Sequence, residues 1–366
     1  TPPSGETRHV SVMLSTKDDR YSLRLTKYDT TVMNATSTDG QLQNTWALEQ
    51  ALGDNLGETS STPAIVRGYL RGTLSYDDYA EAGGDPERLR NSIIPAWLQF
   101  ERDLREQFPD FVNAWMGPNS SWGTDSLETP IVSSPTGFVA TEDSTSEGYE
   151  LEFIANPTPN WRIAINASKT NSTRTNVPGE NFRAVASFVD ETFQTSDAGL
   201  APVWWPQNIE GLRGVGPYPF FFRSDWLRVN SLNGQSAGEI RKYRANLITN
   251  YDFNEGRLKG FGIGAGYRWE DRSILAYAPM VDETGTFGVN LDAPFYAPRE
   301  DSLDVWFSYR RKISENVRWK IQLNVFNVGE DDRLVPLAAG VDAARLGTTE
   351  PTPGMVVPMK ATSFSI

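Results

Sequence analysis

The sequence predicts an all-β fold, a transmembrane antiparallel β-barrel. It should hold about eight to nine strands of a larger barrel, with long, partly helical extracellular loops. Three observations predict it. Four connections are very short, at 16–20 (TKDDR), 156–160 (NPTPN), 254–258 (NEGRL) and 313–315 (ISE). Long ones lie between them, at 32–146, 172–238, 271–300 and 328–357. Each short turn joins two runs in which apolar and polar residues alternate, and these runs reach about 9 to 12 residues against the usual ~5 to 6.

The strands are justified one by one by this period of two. In the first hairpin Val10, Val12 and Leu14 share a face, then Tyr21, Leu23 and Leu25 oppose Ser22, Arg24 and Thr26. Tyr149, Leu151 and Phe153 oppose Glu150 and Glu152, and beyond NPTPN, Trp161, Ile163 and Ile165 oppose Arg162 and Asn166. Tyr243, Ala245, Leu247, Tyr251 and Phe253 oppose Arg244, Asn246, Asn250 and Asp252. Phe261, Ile263, Ala265, Tyr267 and Trp269 alternate with Gly260, Gly262, Gly264, Gly266 and Arg268. The last pair sets Leu303, Val305, Phe307 and Tyr309, then Val317, Trp319, Ile321, Leu323 and Val325, against polar neighbours. A further strand can start within 358–366. A β-sandwich would alternate too, but mid-strand Arg, Glu and Lys suit a wet lumen. With the short turns on one side of a membrane, the outward aromatics fall into two girdles with aliphatics between them.

Composition narrows the function. Mean hydropathy is -0.45, which a barrel tolerates because only alternate residues face lipid. Cysteine count is 0 and the one histidine is His9. Thiolate metal sites, disulfides and His-based triads are therefore excluded, and no metal or cofactor is expected. A net charge of -13 argues against nucleic acid, which basic stripes bind. Glu330, Asp331 and Asp332 lack a calcium-loop signature and read as a solvated turn. Glu150 and Glu152 read as polar lining, and the alternate glycines of GFGIGAG as a strand rather than a phosphate loop. No catalytic residue is assigned, and the chain is expected not to be an enzyme. Starting at Thr1 without an initiator Met or signal peptide, it is expected to be processed or part of a longer protein.

The long connections carry their own patterns. In 32–146, Asp85 is placed to cap a helix with Pro86 at its first position and Leu89, Ile93, Trp97, Phe100 and Leu104 on one face. Pro95 should kink or split it. A weaker helix is possible at 43–52 and an amphipathic one at 182–195. Segment 201–233 is rich in aromatics and stiffened by Pro202, Pro206, Pro217 and Pro219. Trp204, Trp205, Tyr218, Phe220 and Trp226 are the candidate ligand-binding residues, by stacking, against the alternative that they form a mini-core. Gly260, Gly262, Gly264 and Gly266 leave a side-chain-free stripe, where a second backbone could approach or the sheet could bend.

Three stretches carry a family resemblance: GYELEFIANPTPNWRIAINAS (148–168), RKYRANLITNYDFNEGRLKGFGIGAGYRWEDRS (241–273) and DVWFSYRRKISENVRWKIQLNVFNVGEDD (304–332). Together they resemble the C-terminal part of a TonB-dependent outer-membrane receptor. The likeness covers strands and turns but not the long loops. It implies a fragment, residues 1–366, of a barrel of about 22 strands closed by a plug. Residues 32–146 would then be a large extracellular insertion and 172–238 an aromatic-rich extracellular loop. It also implies energised uptake of a scarce nutrient of the siderophore, cobalamin or oligosaccharide class, and location in a bacterial outer membrane. The implied partners are outer-membrane lipid, the TonB complex, the receptor's own plug against the glycine stripe, and the substrate. No plug or TonB box is visible, and the chain ends on Ile366 rather than on an aromatic residue. The alternatives are another outer-membrane barrel, such as a passive porin or adhesin, and a soluble β-rich binding domain.

Overall fold

The computed structural model describes the chain except residues 1, 38–44, 54–61, 82, 129–130, 202–221, 237–239, 282–286, 316, 341–351, 360 and 366. Strands β1 (Ser4–Ser15), β2 (Tyr21–Thr36), β3 (Thr141–Thr158), β4 (Trp161–Thr175), β5 (Tyr243–Asp252), β6 (Phe261–Glu270), β9 (Glu300–Lys312), β10 (Arg318–Phe326) and β13 (Ser363–Ser365) form one antiparallel sheet in the order β1-β2-β3-β4-β5-β6-β9-β10-β13. Hairpins β7 (Ile274–Val281) with β8 (Phe287–Tyr296), and β11 (Arg333–Gly340) with β12 (Thr352–Met359), form two separate small sheets inside the long connections.

The tight turns fall where the alternation breaks. At 16–20 the Thr16 amide donates to the Tyr21 carbonyl at 3.0 Å, and Asp19 takes a φ of 52°, open to a short polar residue. Register then follows from pairing like faces: Val12 opposes Leu25, Leu25 opposes Leu151, Leu151 opposes Ala167, and Ala167 opposes Ala245.

Eight helices occupy the first two long connections among the described residues: α1 (Thr45–Leu52), α2 (Thr62–Arg71), α3 (Tyr76–Glu81), α4 (Pro86–Arg88), α5 (Ile94–Gln107), α6 (Pro109–Met116), α7 (Glu180–Thr195) and α8 (Ser224–Asn230). Asp85 caps α4 as its sequence position implies, accepting from the amides of Glu87 and Arg88 at 2.9 and 3.2 Å. Pro95 does not split the helix. A π-helical turn over 89–93 intervenes, and the Ile94 amide reaches back to the Leu89 carbonyl. Shifting the hydrogen-bond ladder one residue before the proline lets the helix continue.

The hydrophobic core belongs to this helical layer. It unites Leu48, Leu89, Ile93, Trp97, Phe100, Leu104, Val185, Val189, Phe193, Phe222 and Trp226 with their neighbours, and none of its buried members lies on a strand. Hydrogen bonds tie the layer to the ends of β2, β3 and β4: Ser37 to Ala140, Thr141 to Pro178 and Gly234 to Arg174. The sheet keeps its apolar side exposed, with Val10 at 73% and Ile321 at 48%.

These facts correct the predicted fold class. The chain is not all-β but mixed α/β, with eight helices beside the strands among the described residues. The sheet is not closed into a barrel, because β1 and β13 are its two outer strands and do not pair with each other. Alternation reports one apolar and one polar side, which an open sheet and a closed one share. The long connections, read as partly helical extracellular loops, hold the core. The assignment as a TonB-dependent receptor and the uptake activity are corrected with the fold. So are the outer-membrane placement and the lipid, TonB-complex and plug partners, which the resemblance implied. No helix among the described residues is long and apolar enough to cross a membrane, a fact that bears on helices alone.

Candidate ligand-binding cleft

Among the described residues a cleft lies in the helical layer, between α6, the start of α7 and the segment 135–138. The sequence FPDFVNAWMG builds its first wall. Pro109 opens α6 at the position where a missing amide costs nothing, Asp110 lies in the first turn near the positive end of the helix, and Gly117 closes it at φ 82°. Phe111 and Trp115, four residues apart, then lie on one face. Their rings are near-parallel at 5.0 Å between centroids.

The second wall comes from α7. Phe182 lies 5.7 Å from Trp115 with its plane 30° away, and 6.4 Å from Phe111, so the three rings form a triangular cluster. Phe138 meets Trp115 edge-on at 5.4 Å and packs on Phe182 at 5.1 Å. The segment is pinned by the Ser133 amide, which donates to the Trp115 carbonyl at 2.8 Å, and by a turn from Phe138 to Pro135. Phe111, Trp115 and Phe182 are buried, with 9%, 5% and 8% exposed, so the aromatic floor is rigid. Gln107, Asp110, Ala114, Asn181 and Ala184 form an exposed rim. The half-open cleft offers about 520 Å³, within the range of small-molecule sites. The arrangement offers ring stacking inside and one carboxylate with two amides at the mouth.

The residues singled out from sequence lie elsewhere. Trp204, Trp205, Tyr218 and Phe220 fall outside the described residues. Trp226 is 2% exposed and belongs to the helical core through α8. Gly260 sits on the sheet at φ 93°. A methyl group on Gly262 would meet Asp252 Oδ1 at 2.6 Å and Ser308 Oγ at 2.7 Å, and one on Gly264 would meet the Trp306 ring at 2.2 Å. At Gly262 and Gly264 that space is filled by the chain's own side chains, whereas a methyl on Gly266 would meet only the Trp306 ring at 3.7 Å. His9 is exposed on β1, and Glu152 pairs with Arg24 at 3.4 Å. Asp332 accepts from the Ala361 amide at 2.8 Å. Among the described residues no cluster of His, Cys, Asp or Glu is arranged to hold a metal ion. Sequence reading missed α6; the signal was present in a proline at the first helical position and a glycine just past the last.

No protein-family model matches the chain, and no curated protein does. Solved structures show a remote likeness. Pseudomonas aeruginosa FpvA, bound to heterologous pyoverdines, aligns with a TM-score of 0.41 and 11% identity over 100% of this chain and 26% of that one. The ferric-catecholate import receptor Fiu from K12 E. coli gives 0.40 and 11% over 100% and 27%. The siderophore receptor PiuA from Acinetobacter baumannii gives 0.38 and 11% over 98% and 27%. This chain therefore spans about a quarter of the length of those structures. At this low similarity the likeness assigns neither a family nor an activity.

Proposed function

We propose that the chain is a binding domain, working without catalysis, that holds a small planar aromatic cation in the cleft between α6 and α7. The carrying observation is the aromatic wall of Phe111, Trp115 and Phe182 that lines the cleft, the planes of the two phenyl rings lying 28° and 30° from that of the indole. A flat ring adds to such a wall by stacking, worth about 0.5–1.5 kcal/mol per contact beyond area burial. Charge sets the sign. Asp110 stands at the mouth and the chain carries -13 overall, so a cation is favoured in approach and in place, and an anion is repelled.

The test uses two dyes of similar size, cationic acridine orange and anionic 1-anilinonaphthalene-8-sulfonate, followed by fluorescence polarisation. Acridine orange is expected to bind saturably and to be recovered chemically unchanged. Ala184→Trp, which fills the cleft from an exposed rim position, should abolish that binding without moving the unfolding midpoint. Asp110→Asn should weaken it several-fold while leaving the anionic dye unaffected. Equal binding of acridine orange to the Ala184→Trp variant would refute the reading.

A further inference from the structure

Two side-chain amides line the cleft, those of Gln107 and Asn181, and neither has a hydrogen-bond partner among the described residues. Gln107 ends α5, immediately before the α6 wall, and Asn181 lies in the first turn of α7, so the two come from different walls. The backbone at each is held by its neighbours. Phe108, next to Gln107, packs on Phe188 of α7 at 5.5 Å, and its amide donates to the Leu104 carbonyl at 2.9 Å. Phe182, next to Asn181, is buried in the aromatic cluster, and the Arg183 amide donates to the Gly179 carbonyl at 2.9 Å. Groups anchored in this way cost less to order when a ligand meets them.

We infer that the aromatic cation held in the cleft carries a carboxamide on its ring, and that Gln107 and Asn181 recognise that group. This deepens the function proposed for the cleft and rests on it. The chemistry of the mouth selects the substituent. Each side-chain amide offers two N–H donors and a carbonyl acceptor, whereas the Asp110 carboxylate only accepts. The complementary group must therefore both donate and accept. A carboxylate on the ring has no proton to give and would meet the like charge of Asp110. A hydroxyl has one proton to give. A carboxamide has two N–H donors and a carbonyl with two lone pairs, enough for both side chains. Conjugation keeps it close to the ring plane, so it projects toward the rim while the ring stays on the wall of Phe111, Trp115 and Phe182. An alkylated ring nitrogen supplies the positive charge that Asp110 favours and uses no hydrogen-bond donor in doing so. The ligand class is thus an N-alkylated heteroaromatic carboxamide of the pyridinium type.

The test displaces acridine orange from the full chain, read by fluorescence polarisation, with three compounds of similar size. These are 1-methylnicotinamide, 1-methylpyridinium, which lacks the substituent, and trigonelline, in which a carboxylate replaces the carboxamide. 1-Methylnicotinamide is expected to displace the dye at a concentration about ten-fold lower than either of the others, the worth of one to two hydrogen bonds. In the Gln107→Ala, Asn181→Ala double variant that preference should shrink to about two-fold or less. Both positions are exposed, and circular dichroism checks the fold of the variant. Saturable dye binding with equal displacement by all three compounds overturns the carboxamide and leaves the aromatic-cation reading standing. A ten-fold preference that survives in the double variant overturns the role of these two amides. A dye that does not bind saturably to the parent chain overturns the reading of the cleft, and the carboxamide falls with it. If the double variant does not fold, the three compounds on the parent chain alone decide.

Discussion

Trp306 lies across Gly264 and donates its indole N–H to Asn250 Oδ1 at 3.0 Å. Gly264 pairs with Trp306 on one side and with Asn250 on the other, so the ring bridges β9 to β5 over β6. Arg310 repeats the bridge one pair along, reaching Asp252 beside Gly262 at 2.5 Å. Tyr28 does the same over Gly148 to reach Thr170 at 2.6 Å. The glycines thus let long side chains tie alternate strands in a sheet with no core beneath it. Gly264→Ala places a methyl 2.2 Å from the ring and should cost about 1–3 kcal/mol. Combined with Trp306→Ala, much of that cost should vanish. Urea unfolding of the four members of the cycle checks it, and strictly additive losses would contradict the bridge.

The helical layer is organised about an ion pair sealed from water. Arg67, with its side chain 0% exposed, holds Glu101 in a two-pronged bridge at 2.7 Å in each arm, and Trp97 Nε1 donates to the same carboxylate at 2.7 Å. Removing one partner strands a charge in the core. Arg67→Met should therefore cost about 3–5 kcal/mol, while Arg67→Met with Glu101→Leu should recover most of the loss. Equilibrium unfolding in guanidinium measures both. A double variant as unstable as the single one would show that packing, not the stranded charge, sets the cost.

Arg241 joins three strand ends. Its guanidinium meets Glu270 of β6 at 3.2 Å, meets Glu300 of β9, and donates to the carbonyls of Asp271 at 2.7 Å and Pro298 at 3.2 Å. A lysine keeps the charge but not the planar fork. Arg241→Lys should lose about 1.5–3 kcal/mol, the worth of a hydrogen bond to a charged group. Hydrogen exchange should quicken locally at Glu270 and Glu300. Unchanged protection there would mean that the fork is dispensable.

What the sequence discloses is local, and the fold's larger choices are not. The turns at 16–20, 156–160, 254–258 and 313–315 and the strands flanking them follow from period two and turn chemistry. So do the Asp85 cap and the helix containing 182–195. Closure depends on whether β1 meets a partner at the far edge, and no alternation along β1 encodes that. The position of the core was hidden because Leu48, Trp97 and Phe193 come from separately predicted helices and Trp226 from an aromatic segment, far apart in the chain, and their packing together is a tertiary event. Of the cleft, only Phe182 stood on a predicted helix. α6 is short, and its pairing of Trp115 with Phe182 is a tertiary event.

Alkaline pH should act on one half-buried phenol. Tyr69 is packed against Tyr76 at 5.1 Å and Tyr79 at 6.1 Å. Burial pushes its pKa above the ordinary value of 10.0, and the carboxylate of Asp78 and the neighbouring Tyr76 push the same way. In the unfolded chain the phenol ionises near 10, whereas in the folded chain it holds its proton to higher pH. Above pH 10 the folded state therefore binds more protons than the unfolded state, and stability falls as pH rises. The contribution is complete below pH 10 and is lost as pH rises through the folded pKa. Tyr69→Phe removes the ionisation and keeps the ring, so its unfolding free energy should fall less steeply above pH 10 than that of the parent chain. Urea midpoints taken from pH 8 to 11 in both proteins check this. Parallel curves would show that the phenol is not held protonated by its surroundings.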